Sequence, residues 1–236
     1  MTITIPKIDS DKAIGEALAY KITIITDQSS WLLPYIQDVK AQWQLLGHEV
    51  ILCHSNMDLA GGDFCFCLSC SDLITQEKRK LYRNTLVVHE SDLPQGRGWA
   101  PVAWQILAGQ KSIPVVLLEA EDAVDSGAIY LKDSITLTGE ELNSEWRELQ
   151  AQATFRLCNQ WLSEYPSVLD LAVQQTGEPT YFAKRLPKDS ELDVNISLAE
   201  QFDLLRVVDN VRYPAFFNHA GKRYKLTIER VEGDDD

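Results

Sequence analysis

The sequence contains no long apolar run and is poor in basic residues. No stretch approaches the roughly 18 to 20 consecutive apolar residues that a membrane-spanning helix needs. Only 22 lysines and arginines stand against 35 aspartates and glutamates, which gives a formal net charge of -13 at pH 7. Because binding to a nucleic acid backbone depends on many cationic contacts, the composition favours neither a membrane protein nor a nucleic-acid-binding protein. It stays compatible with a small anionic ligand in a local basic pocket.

Cysteine is also scarce, and its spacing indicates no metal site. The five cysteines are an odd number, and Cys65, Cys67 and Cys70 lack the paired C-x2-C spacing of a zinc site. Residues 63–68 alternate like a buried strand, in which free cysteine acts as a small apolar side chain. The segment Met1–Asp11 lacks the basic start and apolar core of a secretory signal, so we expect a cytoplasmic protein.

The patterns that are present alternate between strand and helix. Runs rich in β-branched and apolar residues predict strands at residues 21–26, 49–54, 63–68, 85–88, 113–118 and 128–132. Between the first two, apolar residues spaced by three and four predict a helix that ends near Gly47. Strands alternating with helices are typical of an α/β fold with a Rossmann-like, doubly wound, mostly parallel sheet.

The pattern changes in the last third of the chain. Residues 140–165 favour a long helix, whereas from residue 177 onward the segments are short and mixed, with a helix near 198–208 and a hairpin up to residue 231. We therefore predict a catalytic domain at residues 20–175 and a small C-terminal α+β extension at residues 176–236. The sequence does not fix the oligomeric state.

A histidine and an aspartate stand at the ends of two predicted strands. His89 follows the apolar run 85–88 and opens a loop rich in proline and glycine, and Asp125 follows the run 113–118. A histidine can accept a proton near neutral pH, and a neighbouring carboxylate orients it and favours its charged form. In parallel sheets, ligands bind beyond the carboxyl ends of the strands, where we expect both residues. The pair alone fits acyl transfer, hydrolysis and proton abstraction equally well.

Two motifs around these residues occur in the same order in a known enzyme family. His89, Ser91, Leu93, Pro94 and Gly98 match N-x-H-x-S-x-L-P-x-x-x-G, and Asp125-Ser126-Gly127 matches a later D-[TS]-G. On these motifs the chain resembles the N10-formyltetrahydrofolate-dependent formyltransferases, which include methionyl-tRNA formyltransferase and the sugar N-formyltransferases. The resemblance implies the formyltransferase fold, with N10-formyltetrahydrofolate as the formyl donor.

The His89 loop is more similar still to one subgroup of this family. That subgroup modifies amino sugars in bacterial surface-glycan and pseudaminic-acid biosynthesis, and its loop is matched by Asp92, Gly96, Gly98, Trp99, Pro101, Trp104 and Gln105. The resemblance implies a small-molecule amino sugar, nucleotide-linked, as the acceptor. A methionyl-tRNA formyltransferase-like enzyme is an alternative, which the acidic composition disfavours. A catalytically inactive module that binds folate or nucleotide is another.

The resemblance also implies roles for individual residues. His89 would relay the proton of the acceptor amine and stabilise the tetrahedral intermediate, and Asp125 would orient His89. The implied cofactor-binding residues are Leu73, Ile74, Glu119, Glu121, Asp122, Ala123 and Val124. The implied substrate-binding residues are Asp27, Ser30, Trp31, Arg97 and Trp99, with the Trp31 ring stacking on a nucleotide and the Arg97 guanidinium holding a phosphate.

One position departs from the family pattern. The family carries an asparagine two residues before the histidine, where it helps to hold the formyl oxygen, and this chain has Val87 there. Losing one such donor typically costs on the order of a hundredfold or more in rate. We expect a replacement donor, either the Ser91 hydroxyl or a backbone N–H, since Asn84 lies too far back along the strand.

Overall fold

The computed structural model describes residues 19–231, so the segment Met1–Asp11 that bears on the cellular location lies outside it. The strands are β1 (Lys21–Ile25), β2 (Glu49–Cys53), β3 (Gly62–Cys67), β4 (Tyr82–His89), β5 (Arg97–Gly98), β6 (Ser112–Glu119), β7 (Ile129–Thr136), β8 (Tyr181–Phe182), β9 (Ala215–His219) and β10 (Lys222–Leu226). The helices are α1 (Leu33–Leu45), α2 (Gln76–Arg79), α3 (Pro101–Leu107), α4 (Asn143–Glu164) and α5 (Phe202–Val207). None of these helices is long and apolar enough to cross a membrane.

Six strands form the central sheet, in the order β2-β1-β3-β4-β6-β7. The first four strands in this order run parallel to one another. β6 pairs antiparallel with β4, and β7 pairs antiparallel with β6. This confirms the predicted mixed α/β fold with a mostly parallel sheet.

The antiparallel direction of β6 corrects the expected placement of Asp125. Glu119, the last residue of β6, pairs with Leu86, whereas His89 pairs with Val116. β6 therefore runs past His89 and ends toward the amino ends of the parallel strands, away from the carboxyl edge of the sheet. Asp125 reaches His89 because the connection between β6 and β7 turns back along β4.

The main core fills the sheet face that is covered by α1, α3 and α4. Alternate strand residues such as Ile22, Ile24, Phe64 and Phe66 point to this face and are fully buried, as the period-two pattern of the sequence requires. Trp43 of α1, also fully buried, donates from its indole nitrogen to the Asn159 side chain of α4 at 2.7 Å, which joins the two helices.

The opposite sheet face carries a smaller core beside the short helix α2. Cys65 and Cys67 are buried there with Ile25 and Tyr82, so these two cysteines occupy the apolar positions predicted for them. The Tyr82 hydroxyl donates to the Thr23 hydroxyl at 3.1 Å, which satisfies the polar end of a largely buried ring. His89 and Val87 point to this same face.

A buried arginine fastens the C-terminal segment to the sheet domain. Arg206 of α5 is 2% exposed, and its guanidinium donates to the Glu141 carboxylate at 2.9 Å and to the Glu141 carbonyl at 3.0 Å. Burial by itself would raise the pKa of Glu141, but hydrogen bonds from Thr138 and Gly139 overcome that effect and lower it to about 2. The ionised Glu141 therefore stabilises the junction between β7, α4 and α5.

We predict a stability change between about pH 5 and pH 2 that depends on Glu141. Because its folded-state pKa is lowered, its contribution is present above the ordinary value of 4.5 and is lost as the pH falls toward 2. Chemical denaturation should show the free energy of unfolding falling across this window less steeply in Glu141→Gln than in the wild type. Glu140→Gln, at an exposed neighbouring carboxylate, is the matched control and should follow the wild type. Identical slopes for Glu141→Gln and wild type would contradict the assignment.

Candidate active site

His89 lies at the end of β4 with both ring nitrogens facing oxygen atoms. Its Nε2 lies 2.8 Å from the Gly96 carbonyl oxygen, and its Nδ1 lies 3.5 Å from Oδ2 of Asp125. The two side chains are only 6% and 9% exposed. The imidazole ring is therefore held between a carbonyl oxygen and a carboxylate oxygen.

The Asp125 carboxylate also fixes the loop that follows His89. Its Oδ2 accepts a hydrogen bond from the Gly98 backbone N–H at 2.8 Å. Gly98 has φ +101, and a Cβ there would lie 2.6 Å from the Phe182 carbonyl oxygen, so no other residue fits this close approach. Gly98 pairs with Phe182, and the Gly96 N–H donates to the Thr180 hydroxyl at 2.8 Å. Residues beyond 176 therefore help to build the site.

The segment that carries Asp125 is held by Gln175. Asp125 has φ 51, a left-handed conformation that costs energy in a non-glycine residue. The Gln175 amide donates to the carbonyl oxygens of Asp125 and Gly127 at 2.8 and 2.9 Å, which offsets that cost. The Arg97 guanidinium donates in turn to Oε1 of Gln175 at 2.6 Å. Arg97 is thus bound within the protein, and its contact with a phosphate stays a prediction.

A cavity of about 560 Å³ opens beside His89. Ten of the residues singled out from the sequence line it: Asp27, Trp31, Leu73, Ile74, His89, Trp99, Glu119, Glu121, Val124 and Asp125. The structure therefore brings together the predicted catalytic pair and most of the predicted ligand-binding positions around one space. Their individual binding roles stay predictions.

Two predicted serines lie outside this space. Ser91 is 2% exposed, and its hydroxyl has no hydrogen-bond partner within residues 19–231. It sits beneath the loop, where its Cβ is close to Gly96, so the structure does not support Ser91 as the replacement donor. The Ser30 hydroxyl accepts from the Leu32 N–H at 3.2 Å and so stabilises the start of α1. Its substrate contact stays a prediction.

Asp122 and Ala123 likewise turn away from the cavity. The Asp122 carboxylate pairs with the Arg79 guanidinium at 2.6 Å on the protein surface. The Ala123 carbonyl accepts from the Ser126 hydroxyl at 2.7 Å, a contact inside the β6–β7 connection. Both residues shape that connection and neither lines the cavity, so their cofactor contacts stay predictions.

Val87 contributes an apolar side chain to the cavity wall where the family pattern has an asparagine. Asn84 does not replace it, because its side chain donates to the Glu119 carboxylate at 2.8 Å at the other end of β4. That carboxylate also accepts from the Thr85 N–H at 2.8 Å and the Tyr130 hydroxyl at 3.0 Å. The Glu119 carboxylate therefore already accepts hydrogen bonds from three groups of the protein. Burial raises the pKa of Glu119.

Glu90 and Gln150 are among the polar residues of the cavity wall that the sequence did not predict. Glu90 follows His89 directly, and its Oε1 accepts from the Gln150 amide of α4 at 2.7 Å. Burial raises the pKa of Glu90, while the nearby His89 acts in the opposite direction. A glutamate directly after the histidine was visible in the sequence, but its contact with α4 spans 60 residues of chain.

A second cavity of about 270 Å³ adjoins the first. The two share a wall made of Trp31, Trp99, Ala100, Pro101 and Gln150. The second is further lined by Trp146, Tyr213 and four cationic side chains, Arg147, Lys184, Arg185 and Arg212.

The cations of the second cavity are stacked on its aromatic rings. The Arg147 guanidinium lies 5.4 Å from the Trp31 ring centroid, and the Lys184 ammonium lies 4.9 Å from that of Trp99. The Nε atoms of Arg147 and Arg185 are buried without a hydrogen-bond partner in the described part of the chain. Burial lowers the pKa of both guanidiniums. Two incompletely satisfied cations favour an anionic ligand here.

The two cavities differ in the sign of their charge. Apart from His89, the charged residues of the larger cavity are all acidic: Asp27, Asp72, Glu90, Glu119, Glu121 and Asp125. The smaller cavity has four cationic side chains and a single acid, Asp209. A ligand that spans both would need a cationic or neutral part next to His89 and an anionic part in the smaller cavity.

Comparison with known proteins identifies the family. The sequence pattern of the family described as formyl transferase matches residues 22–156, more than half of the 236-residue chain. The chain belongs to the formyl transferase family. The matched region includes β4, with His89, and the β6–β7 connection, with Asp125, so the resemblance drawn from the two motifs is confirmed.

Individual members of this family are distant relatives. Methionyl-tRNA formyltransferase of Mycoplasma capricolum subsp. capricolum is 26% identical over 181 residues, which cover 74% of this chain and 56% of that protein. The chain thus spans about half the length of the curated relatives it matches.

Solved structures share the fold of this formyl transferase at low identity. HypX from Aquifex aeolicus in complex with tetrahydrofolic acid has a TM-score of 0.75 and 19% identity, over 89% of this chain and 38% of that one. A 4-N formyltransferase from Francisella tularensis has a TM-score of 0.62 and 16% identity, over 90% and 98% of the two chains.

We predict that Gln175→Ala loosens the β6–β7 connection, because it removes the two hydrogen bonds that hold the left-handed Asp125. Hydrogen–deuterium exchange of residues 120–128 should quicken by about tenfold or more, as loss of roughly 1 to 2 kcal/mol of local hydrogen bonding implies. Gln174→Ala, at the exposed neighbouring residue, is the control and should leave exchange unchanged. Unaltered exchange in Gln175→Ala would show that the connection does not depend on this side chain.

Proposed function

We propose that this formyl transferase moves a formyl group from N10-formyltetrahydrofolate to the amine of a nucleotide-linked amino sugar. The observation that carries the proposal is the pair of adjoining cavities with opposite charge, which share a wall that includes Trp31, Trp99 and Gln150, while His89 lines the larger one. An amino sugar with a diphosphate suits both, because its amine is cationic and its phosphates are anionic.

The larger cavity suits the folate donor. Leu73 and Ile74 give its wall an apolar patch, and the β6–β7 connection offers backbone groups for a pterin ring. The complex of HypX with tetrahydrofolic acid supports this choice, since HypX shares the fold. When bound, the donor supplies the formyl carbon that the acceptor amine attacks.

The smaller cavity suits the nucleotide. The indole rings of Trp31, Trp99 and Trp146 offer flat apolar surfaces for a base or sugar. Arg147, Arg185 and the neighbouring cations offer donors for phosphate oxygens. The fold shared with a 4-N formyltransferase supports an amine as the acceptor group.

His89 and Asp125 would carry the chemistry. As the neutral amine nitrogen bonds to the formyl carbon, negative charge grows on the formyl oxygen, and His89 stabilises it. The bond from the formyl carbon to N10 then breaks, and tetrahydrofolate leaves with the proton that the amine gives up, relayed by His89. Asp125 and the Gly96 carbonyl hold the ring in place for this role. Proton relay through Nε2 requires the contact with Gly96 to open first. Because Val87 offers no hydrogen-bond donor to the formyl oxygen, stabilisation of that oxygen depends more on His89.

The relatives also support a second candidate, formylation of charged initiator tRNA, because curated matches carry that name. The net charge of -13 argues against it, since a tRNA acceptor needs many cationic contacts. A protein that binds the ligands without catalysis is a third outcome, which the Val87 position keeps open.

We predict formylation of a nucleotide-linked 4-amino sugar. Incubation with N10-formyltetrahydrofolate and a panel of uridine- and thymidine-diphosphate 4-amino sugars should give a product heavier by one formyl group, detected by mass spectrometry. Formylation of charged initiator tRNA alone would favour the second candidate. Folate binding without formylation of any acceptor would refute the enzymatic proposal.

We predict that His89→Ala and Asp125→Ala each lower turnover by about 100-fold or more, because both remove charge stabilisation at the formyl oxygen. Steady-state rates with the acceptor found in that panel measure the effect, and circular dichroism checks that the fold is kept. His219→Ala, on the exposed hairpin of β9 and β10, is the matched control and should keep the wild-type rate. Full activity in either active-site variant would rule out the assigned roles.

A further inference from the structure

Glu90 is a buried carboxylate beside the reacting centre that the mechanism above does not use. It is 8% exposed, it follows His89, and it lines the larger cavity. The Gln105 side chain donates to its backbone carbonyl at 2.6 Å, and the Gln150 amide donates to its Oε1 at 2.7 Å. The Glu90 backbone is therefore held from α3 and its side chain from α4.

Within residues 19–231, no cation pairs with this carboxylate. None of the ion pairs of the described chain includes Glu90, and the two nitrogens of the adjacent His89 ring face Gly96 and Asp125 instead. Its carboxylate accepts a single hydrogen bond from another described residue, the one from Gln150. Because buried charges are ordinarily paired, Glu90 can take one cationic partner and one further hydrogen bond.

The position of Glu90 shows where that partner would lie. Its hydrogen-bond donor, Gln150, belongs to the wall shared by both cavities. At the shared wall of the two cavities, an acceptor whose phosphates bind in the smaller cavity would meet a donor bound in the larger one. Glu90 and His89 both line the larger cavity, so a group bound at Glu90 shares that cavity with His89.

We propose that Glu90, held by Gln150, is the residue that recognises the acceptor amine, binding it as an ammonium ion at the junction of the two cavities. This inference rests on the proposed function, and it names the group that selects an amine over other acceptor groups. An ammonium brings both a positive charge and hydrogen-bond donors to the carboxylate. A hydroxyl in the same place leaves the buried charge unpaired, so nucleotide sugars that carry a hydroxyl there should be rejected.

The test compares binding of two ligands that differ at one group. The probes are thymidine-diphosphate 4-amino-4,6-dideoxyhexose and the matching 4-hydroxy sugar nucleotide, together with the same pair on uridine diphosphate. Isothermal titration calorimetry gives the ratio of their dissociation constants. In the wild type the amine should bind about 10- to 100-fold more tightly than the hydroxyl in at least one pair, as expected for a hydrogen bond to a charged group.

Three variants locate the effect. Glu90→Gln keeps the shape and the Gln150 contact but removes the charge, so the ratio should fall to near one. Glu90→Asp keeps the charge on a shorter side chain, so it should keep part of the preference for the amine. If Glu90→Gln melts at a much lower temperature than the wild type, the ratio measured in Glu90→Asp is used instead to test whether the preference depends on Glu90. Asp92→Asn removes an exposed carboxylate of the same loop and is the matched control, which should keep the wild-type ratio.

The outcomes separate this inference from the proposed function. A wild type without amine preference in either pair, or a Glu90→Gln protein that retains it, would overturn the role of Glu90 even if formylation occurs. An amine preference that disappears in Glu90→Gln supports that role even if no formyl group is transferred, in which case the formylation assay alone rejects the enzymatic proposal.

Discussion

The carboxylate of Asp125 is the contact on which the site depends, because it joins two segments that the sheet alone would keep apart. It faces Nδ1 of His89 and accepts the Gly98 N–H, so one side chain fixes both the histidine and the loop that follows it. Because β6 runs antiparallel to β4, the connection after Glu119 must return along β4 before Asp125 can reach His89. The left-handed backbone at Asp125 and the clamp by Gln175 are the local means by which it does so.

The charges around this contact give the site its selectivity. The larger cavity is acidic and the smaller one is basic, although the whole chain carries a net charge of -13. A uniformly acidic surface would repel a nucleotide, so the clustering of four cations in one small cavity is what makes an anionic ligand acceptable. Glu90 and Gln150 then mark the boundary at which the preferred charge changes sign.

The sequence predicted the parts of the molecule that follow local periodicity or local chemistry. Most of the strands, α1 with its end just before Gly47 and the His89 loop arise from patterns within a few residues, and the family pattern confirms the motifs built on them. The antiparallel β6 could not be foreseen, because strand direction depends on pairing between distant segments. The contacts of Gln175 with Asp125 and Arg97, and that of Gln150 with Glu90, were missed for the same reason: each spans about 50 to 80 residues of chain.

A crystal structure with both ligands would test the central claim, that the two cavities form one site with His89 at their junction. Tetrahydrofolate and a thymidine-diphosphate 4-amino sugar should bind together. We predict N10 in the larger cavity, the phosphates beside Arg147 and Arg185, and the amine roughly 3 to 3.5 Å from the position of the formyl carbon, as a reactive geometry requires. A nucleotide bound outside the smaller cavity, or an amine held away from His89, would contradict the account.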